Sequence, residues 1–190
     1  WWVGIGEVLD EIAARHDLDD AALVIGLTGQ MHTTVLRDER GESLRPAILW
    51  SDERAGSQAS ALAAGQPAWS EVAGQTPIPA FTSAHLEWVR EQEPELFRRI
   101  ARIAVPKDDV RARLGAGWGT EPSDASAMNL LDDSTGEWSV DLLGRLGVGR
   151  DQLPPVGESA SATGTMSRLP AGTGRASALL GAPVFGGGGD

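Results

Sequence analysis

The string PVFGGGGD at residues 183–190 sets a carboxylate, Asp190, behind four glycines. A carboxylate within hydrogen-bond reach of a hydroxyl can take its proton as the oxygen attacks an electrophile, an effect on the order of 10²–10⁴ in rate. The glycines let the backbone approach a ligand without side-chain clash, although glycine content alone is equally typical of a flexible linker. A second polar group lies in LTGQMHTTVLRDERGESLRPAILWSDER, residues 27–54. The amide of Gln30 and the imidazole of His32, with Met31 between them, can each donate and accept, so together they can read adjacent hydroxyls of a polyhydroxylated ligand. A lone histidine is more often a satisfied core residue, and only its place beside Gln30 and Met31 favours a ligand. Trp50, at a strand end, suits either core packing or an indole laid on the carbon face of such a ligand.

The elements that must position these groups follow from hydrophobic periodicity. The run AALVIGL before Gln30 reads as a buried strand over 22–28, and Gly29 permits a sharp exit that turns Gln30, Met31 and His32 out of the sheet edge, where open α/β sheets bind ligands. Val8, Leu9, Ile12 and Ala13 recur at helical spacing, so residues 4–16 form an amphipathic helix. Short strands are expected over 33–36 and 47–50, with a turn at 38–42 between them. An alanine-rich helix runs to Ala64 and is stopped by Gly65, Gln66 and Pro67, with loop from there to Pro79. Thr82 is the expected N-cap of a helix to Gln92, with Leu86 and Val89 inward, and Pro94 suits the first turn of another through Ile100. Ile103 to Val105 is a strand, and Lys107 to Leu114 is a helix closed by Gly115. A long polar loop, GAGWGTEPSDAS, follows. Met128 to Leu131 extends, Val140 to Leu146 is a short helix, 147–178 is a Gly, Ser and Pro-rich connector, and Pro183 to Phe185 is a strand.

The composition narrows the partners. A formal charge of −11, from 27 acidic and 16 basic residues, disfavours nucleic acid and anionic membrane surfaces, which need clustered Lys and Arg. With no cysteine there is no disulfide framework and no thiolate zinc site, which points to a cytoplasmic enzyme fold. No apolar stretch approaches about 18 residues. The length of 190 residues allows one sizeable core. Asp52 and Arg54 are expected to form a buried ion pair that shapes their loop. Asp124 is expected to hydrogen-bond a turn, Asp108, Asp109 and Glu121 to be surface acids, and His16 and His85 to be solvated. No metal is assigned to any of them.

GQMH followed by RPAILWSDER closely resembles the FGGY family of carbohydrate kinases, and within it the xylulokinases. FTSAHLEWVREQEPELF at 81–97 is similar to that family's FTAPKLLWLREHEPE segment, PKDD at 106–109 stands where the family has PKDY, and SDASAMNLLD at 123–132 and the terminal GGGGD match further blocks in order. Thr33 stands where the family has Gly, Ala80 also replaces Gly, and His85 replaces Lys. The resemblance implies an α/β fold of the ribonuclease H-like, actin-like ATPase type, incomplete at both ends, with the first strands missing. Residues 1–165 would be the N-terminal sugar-binding domain, and 166–190 the connector and start of a C-terminal ATP-binding domain. It implies Asp190 as general base, Gln30, Met31, His32 and Trp50 as sugar contacts, and ATP with Mg²⁺ as co-substrate of the full-length enzyme. The implied reaction is phosphorylation of D-xylulose to D-xylulose 5-phosphate, which the isolated fragment is not expected to carry out. Rival readings are another sugar or polyol (ribulose, gluconate, glycerol) or a non-catalytic sugar-binding relative; a homodimer is compatible with the chain.

Overall fold

The computed structural model describes residues 1–18, 22–65 and 69–190. Helix α1 (Trp2–Arg15) is followed by the short strands β1 (Thr28–Gly29) and β2 (Val35–Arg37), then by a 3₁₀ turn at Glu53–Ala55. Helices α2 (Gly56–Ala63), α3 (Trp69–Ala73), α4 (Thr82–Gln92) and α5 (Pro94–Phe97) precede β3 (Arg102–Ala104). Helices α6 (Pro106–Arg113) and α7 (Pro122–Ala127) lead to the β4 (Leu131–Asp132) and β5 (Glu137–Trp138) pair and to α8 (Val140–Leu146). The last strands are β6 (Ala162–Thr165), β7 (Pro183–Phe185) and β8 (Gly188–Gly189).

Two pairings position the site. β1 lies parallel to β8 with Thr28 opposite Gly188 and Gly29 opposite Gly189, so that Gln30 and Asp190 emerge side by side. The contact continues backward through a parallel bridge between Ile25 and Val184. Between them Gly187 adopts φ +82°, where a Cβ would overlap the carbonyl of Leu27, so this step of the glycine run needs glycine. β2 pairs antiparallel with β3, Val35 opposite Ala104, and fixes the chain that leaves the site.

Two apolar clusters hold these edges. The larger gathers Leu36, Ile48, Trp69, Leu86, Ile103, Met128 and Leu142, among others, from β2, β3 and the helices around them. Its two buried indoles keep their N–H groups satisfied: Trp69 donates to the carbonyl of Asn129 at 2.8 Å and Trp138 to that of Pro154 at 2.7 Å. The smaller joins Leu114, Met166, Leu179 and Val184, with Trp2, Leu9 and Ile25 packed against it. Of the expected apolar face of α1, Leu9 and Ala13 are turned to this cluster, whereas Val8 and Ile12 are exposed.

Several expectations are corrected. The stretch 22–28 is not one buried strand: only Ile25 and Thr28 pair, and Val24 is 66% exposed, because the run meets a partner on one edge at alternate positions. Ala47 to Trp50 reduces to a single bridge between Ile48 and Thr34. Two loops contain helices, α3 and α7. Phe81, not Thr82, is the N-cap of α4, and the Thr82 hydroxyl instead accepts from Thr34 in the core. Asn129, at φ +60°, breaks the expected extension from Met128. Part of the expected stop after Ala64, Gln66 and Pro67, lies outside the described residues. α8 and β7 have the bounds expected from sequence; α8 is capped by the Ser139 hydroxyl and closed by left-handed Gly147.

Candidate functional site

Gln30, Met31, His32, Trp50 and Asp190 line one cavity of about 290 Å³. Asp190 reaches it at the end of β8, and its Oδ1 accepts the backbone N–H of Met31 at 2.9 Å. That bond fixes one carboxylate oxygen and leaves the other oxygen's lone pairs to a ligand. Gly189 sits so close to the Met31 side chain that a Cβ would fall 2.6 Å from its Cγ and Sδ, so the strand that carries Asp190 packs tightly on the methionine.

The turn after β1 is held unusually. His32 adopts φ +64°, a left-handed conformation that costs a non-glycine residue free energy. It is stabilised by two contacts: Nδ1 donates to the carbonyl of Ala127 at 2.9 Å, and the ring lies 5.0 Å from that of Phe81. A carbonyl only accepts, so Nδ1 carries the proton and Nε2 is the imidazole's acceptor in the neutral tautomer. Trp50 is 53% exposed, so the core-packing alternative is not realised and its indole is available at the cavity. The buried Thr33 ties the walls together: its hydroxyl donates to Gln30 Oε1 at 2.5 Å and accepts the backbone N–H of Trp50 at 3.4 Å.

Behind the glycine run lies a buried charge cluster. Lys107 Nζ stands 2.8 Å from Asp108, 3.3 Å from Asp124 and 3.8 Å from Glu121, and donates to the carbonyl of Gly186 at 3.2 Å. Burial opposes the ammonium charge, but the surrounding carboxylates outweigh it and hold the Lys107 pKa above its ordinary value. Burial pushes Asp108 up against the pull of Lys107, and pushes Asp124 up to about 7. Glu121 resists the same burial because the hydroxyl of Ser123 and the N–H groups of Asp124 and Ser123 bond its carboxylate, so its pKa falls. Ser123 in turn accepts the N–H of Gly189 at 2.9 Å, linking α7 to the strand that carries Asp190.

These contacts correct four expectations. Asp108, Asp109 and Glu121 are buried, not surface acids; Asp109 forms a two-pronged pair with Arg37 at 2.8 and 2.6 Å. His85 is buried, not solvated, with Nδ1 bonded to the Thr34 hydroxyl at 2.8 Å, whereas His16 is exposed as expected. The Asp52 and Arg54 pair exists at 2.7 Å, but its side chains are 26% and 38% exposed, so it is not buried. Asp124 bonds no turn, its carboxylate facing Lys107 instead. Sequence reasoning missed Lys107, Ser123 and the part played by Thr33. Glu121 before Pro122 is the one usable signal, since an acceptor before a proline at the first helical position marks a helix start.

The profile of the FGGY family of carbohydrate kinases, N-terminal domain, matches residues 1–190. The chain belongs to this family. It is 35% identical over its full length to a xylulose kinase of Escherichia coli K12, and covers 38% of that protein. Among solved structures, a xyloylose kinase from Brucella ovis matches 96% of the chain at TM-score 0.84 and 35% identity, covering 36% of its own chain. A xylulose kinase from Rhodospirillum rubrum matches all of it at TM-score 0.88 and 27% identity, covering 39% of its own. The FGGY chain therefore has the sugar-kinase fold of the actin-like ATPase group, and spans less than two-fifths of the length of these relatives.

Proposed function

We propose that this FGGY chain is the sugar-binding part of an ATP-dependent xylulokinase, which converts D-xylulose to D-xylulose 5-phosphate. The observation that carries the reading is the shared cavity: the Asp190 carboxylate, oriented by the Met31 N–H, faces the space that Gln30, His32 and Trp50 also line. The C5 hydroxyl of an open-chain pentulose seated there gives its proton to Asp190 as its oxygen attacks the γ-phosphorus of ATP, and ADP leaves. Gln30 and His32 hold neighbouring sugar oxygens, and the Trp50 indole covers the carbon chain.

Residues 1–165 form the sugar domain in this reading, and 166–190 lead toward an ATP-binding domain that closes over the cavity and expels water. In this reading Mg²⁺ enters with the phosphates of ATP; among the described residues no group of three or more His, Cys, Asp or Glu side chains is arranged to hold a metal ion. No helix among the described residues is long and apolar enough to cross a membrane; a cytoplasmic location belongs to the same proposal, and the formal charge of −11 disfavours nucleic acid and anionic membrane surfaces. Whether it works as a homodimer is read by sedimentation.

The test is ADP release by the full-length protein that carries this chain, wild type and Asp190→Ala, with D-xylulose, D-ribulose, glycerol and gluconate. Turnover of D-xylulose in preference to the others, lost by at least about 10² fold in the variant, supports the reading. Preference for another polyol replaces the substrate, and turnover of none moves the protein to a sugar-binding role.

A further inference from the structure

We infer that Thr33 is a positioning residue that fixes the hydrogen-bond polarity of the sugar cavity, and with it the discrimination between epimeric sugars. Thr33 is fully buried, and its hydroxyl sits between the two walls of the cavity. One lone pair accepts the backbone N–H of Trp50 at 3.4 Å, and the hydroxyl proton goes to Gln30 Oε1 at 2.5 Å. The residue itself is held by a tight turn, its own N–H donating to the Met31 carbonyl at 2.7 Å across the left-handed His32.

An amide side chain can turn over and offer either its oxygen or its nitrogen to a ligand. With Oε1 held toward Thr33, the amide keeps one orientation, in which the Nε2 protons are the donors of Gln30 to the cavity. On the other side the Ala127 carbonyl takes the His32 Nδ1 proton, so the imidazole offers Nε2 as an acceptor. The cavity therefore presents a fixed donor, a fixed acceptor and the carboxylate of Asp190 to a ligand that must match all three. A sugar whose inverted centre moves one oxygen away leaves a buried polar group unpaired, which is the strongest basis for rejecting it. Without the Thr33 hydroxyl, Gln30 turns to meet either epimer and the preference relaxes.

This inference rests on the kinase reading, and its test separates the two. In the full-length protein, Thr33→Val removes the hydroxyl at nearly constant shape and Thr33→Ser keeps it. The ratio of kcat/KM for D-xylulose over D-ribulose is expected to fall about tenfold in Thr33→Val, through KM of D-xylulose rather than kcat, and to be restored within about twofold by Thr33→Ser. A ratio unchanged in Thr33→Val, or lost equally in Thr33→Ser, overturns the role of Thr33 while leaving the kinase reading intact. Wild-type protein that turns over neither pentulose overturns the xylulokinase reading; the positioning is then read from the side-chain amide resonances of Gln30 in ¹⁵N-glutamine-labelled protein. A Gln30 amide that ¹⁵N relaxation reads as rigid in wild type and mobile in Thr33→Val supports it, and equal mobility in both proteins overturns it.

Discussion

The backbone N–H of Met31 donates to Oδ1 of Asp190 at 2.9 Å, joining two residues 159 positions apart. The parallel register of Gly29 with Gly189 brings both chains to the same edge, and this bond then sets the rotation of the carboxylate. The residue proposed to contact the sugar and the residue proposed to accept its proton thus share one hydrogen bond.

Asp190→Asn separates the two uses of that carboxylate. The amide oxygen can still accept the Met31 N–H, so the turn and the binding of sugar should survive, but an amide cannot take the hydroxyl proton. The expected result is a fall in kcat on the order of 10²–10⁴, with KM for the sugar within a few fold of wild type. Steady-state kinetics on the full-length protein check it, and a large rise in KM at unchanged kcat would remove the base role.

Trp50→Ala should weaken sugar binding with little effect on folding. The indole is 53% exposed and outside both apolar clusters, so its removal opens no cavity in the core. KM for the sugar is expected to rise about tenfold, at a melting temperature within about 1–2 °C of wild type. A fall of many degrees would show that the ring is structural after all.

The Lys107 cluster should be the most fragile polar feature of the fold. Lys107→Met leaves the carboxylates of Asp108, Asp124 and Glu121 buried together without their cation. Breaking a buried pair from one side costs about 3–5 kcal/mol, measurable as a lower midpoint in urea. It also removes the bond to the Gly186 carbonyl, so the glycine run before Asp190 should lose protection in hydrogen exchange.

Asp124 should make the protein less stable as pH rises. Burial raises its pKa from 3.8 to about 7 in the fold, so between those values the unfolded chain has released a proton that the folded chain retains. Stability is therefore lost on going from about pH 4 to pH 7, by about 4 kcal/mol when complete. Asp124→Asn should remove this contribution, so that between pH 4 and pH 7 the variant gains stability with rising pH relative to wild type in urea titrations; a pH dependence equal to wild type would locate the proton elsewhere in the cluster.

Local rules made much of this fold legible. The Ser139 cap and Gly147 stop give α8, and Pro106 opens α6. What short-range patterns miss is long-range. The apolar run before Gln30 reads as a complete strand, yet its pairing depends on residues 183–189, which determine that only Ile25 and the Thr28–Gly29 step bond. Asp108, Asp109 and Glu121 read as surface charges because sequence shows no partner for them; Asp108 and Glu121 are buried around Lys107, and Asp109 against Arg37 from β2. The residues expected to contact sugar do share one cavity: GQMH carries Gln30, Met31 and His32 on one turn, and the Thr34–Ile48 bridge brings Trp50 beside them. In sequence Thr33 is only a departure from a family pattern, and its bonds to Gln30 and to the backbone of Trp50 arise only when the chain folds.

His85 should act in the opposite direction to Asp124. Its ring is fully buried, its Nδ1 bonds the Thr34 hydroxyl, and the charges that face it are Asp52, Arg54 and Arg45. Burial lowers its pKa from 6.5 to about 4; the attraction of Asp52 is too weak to offset this. The unfolded chain therefore binds a proton between pH 6.5 and pH 4 that the fold does not, and stability is lost as pH falls through that window, by about 3 kcal/mol when complete. His85 and Asp124 titrate with opposite signs over the same range, so the wild-type protein should show a shallow dependence there. His85→Gln should expose the gain of stability that Asp124 gives on acidification, and Asp124→Asn the loss that His85 imposes. Urea midpoints at pH 4.5, 5.5 and 6.5 for both variants test the pair, and parallel curves would reject both assignments.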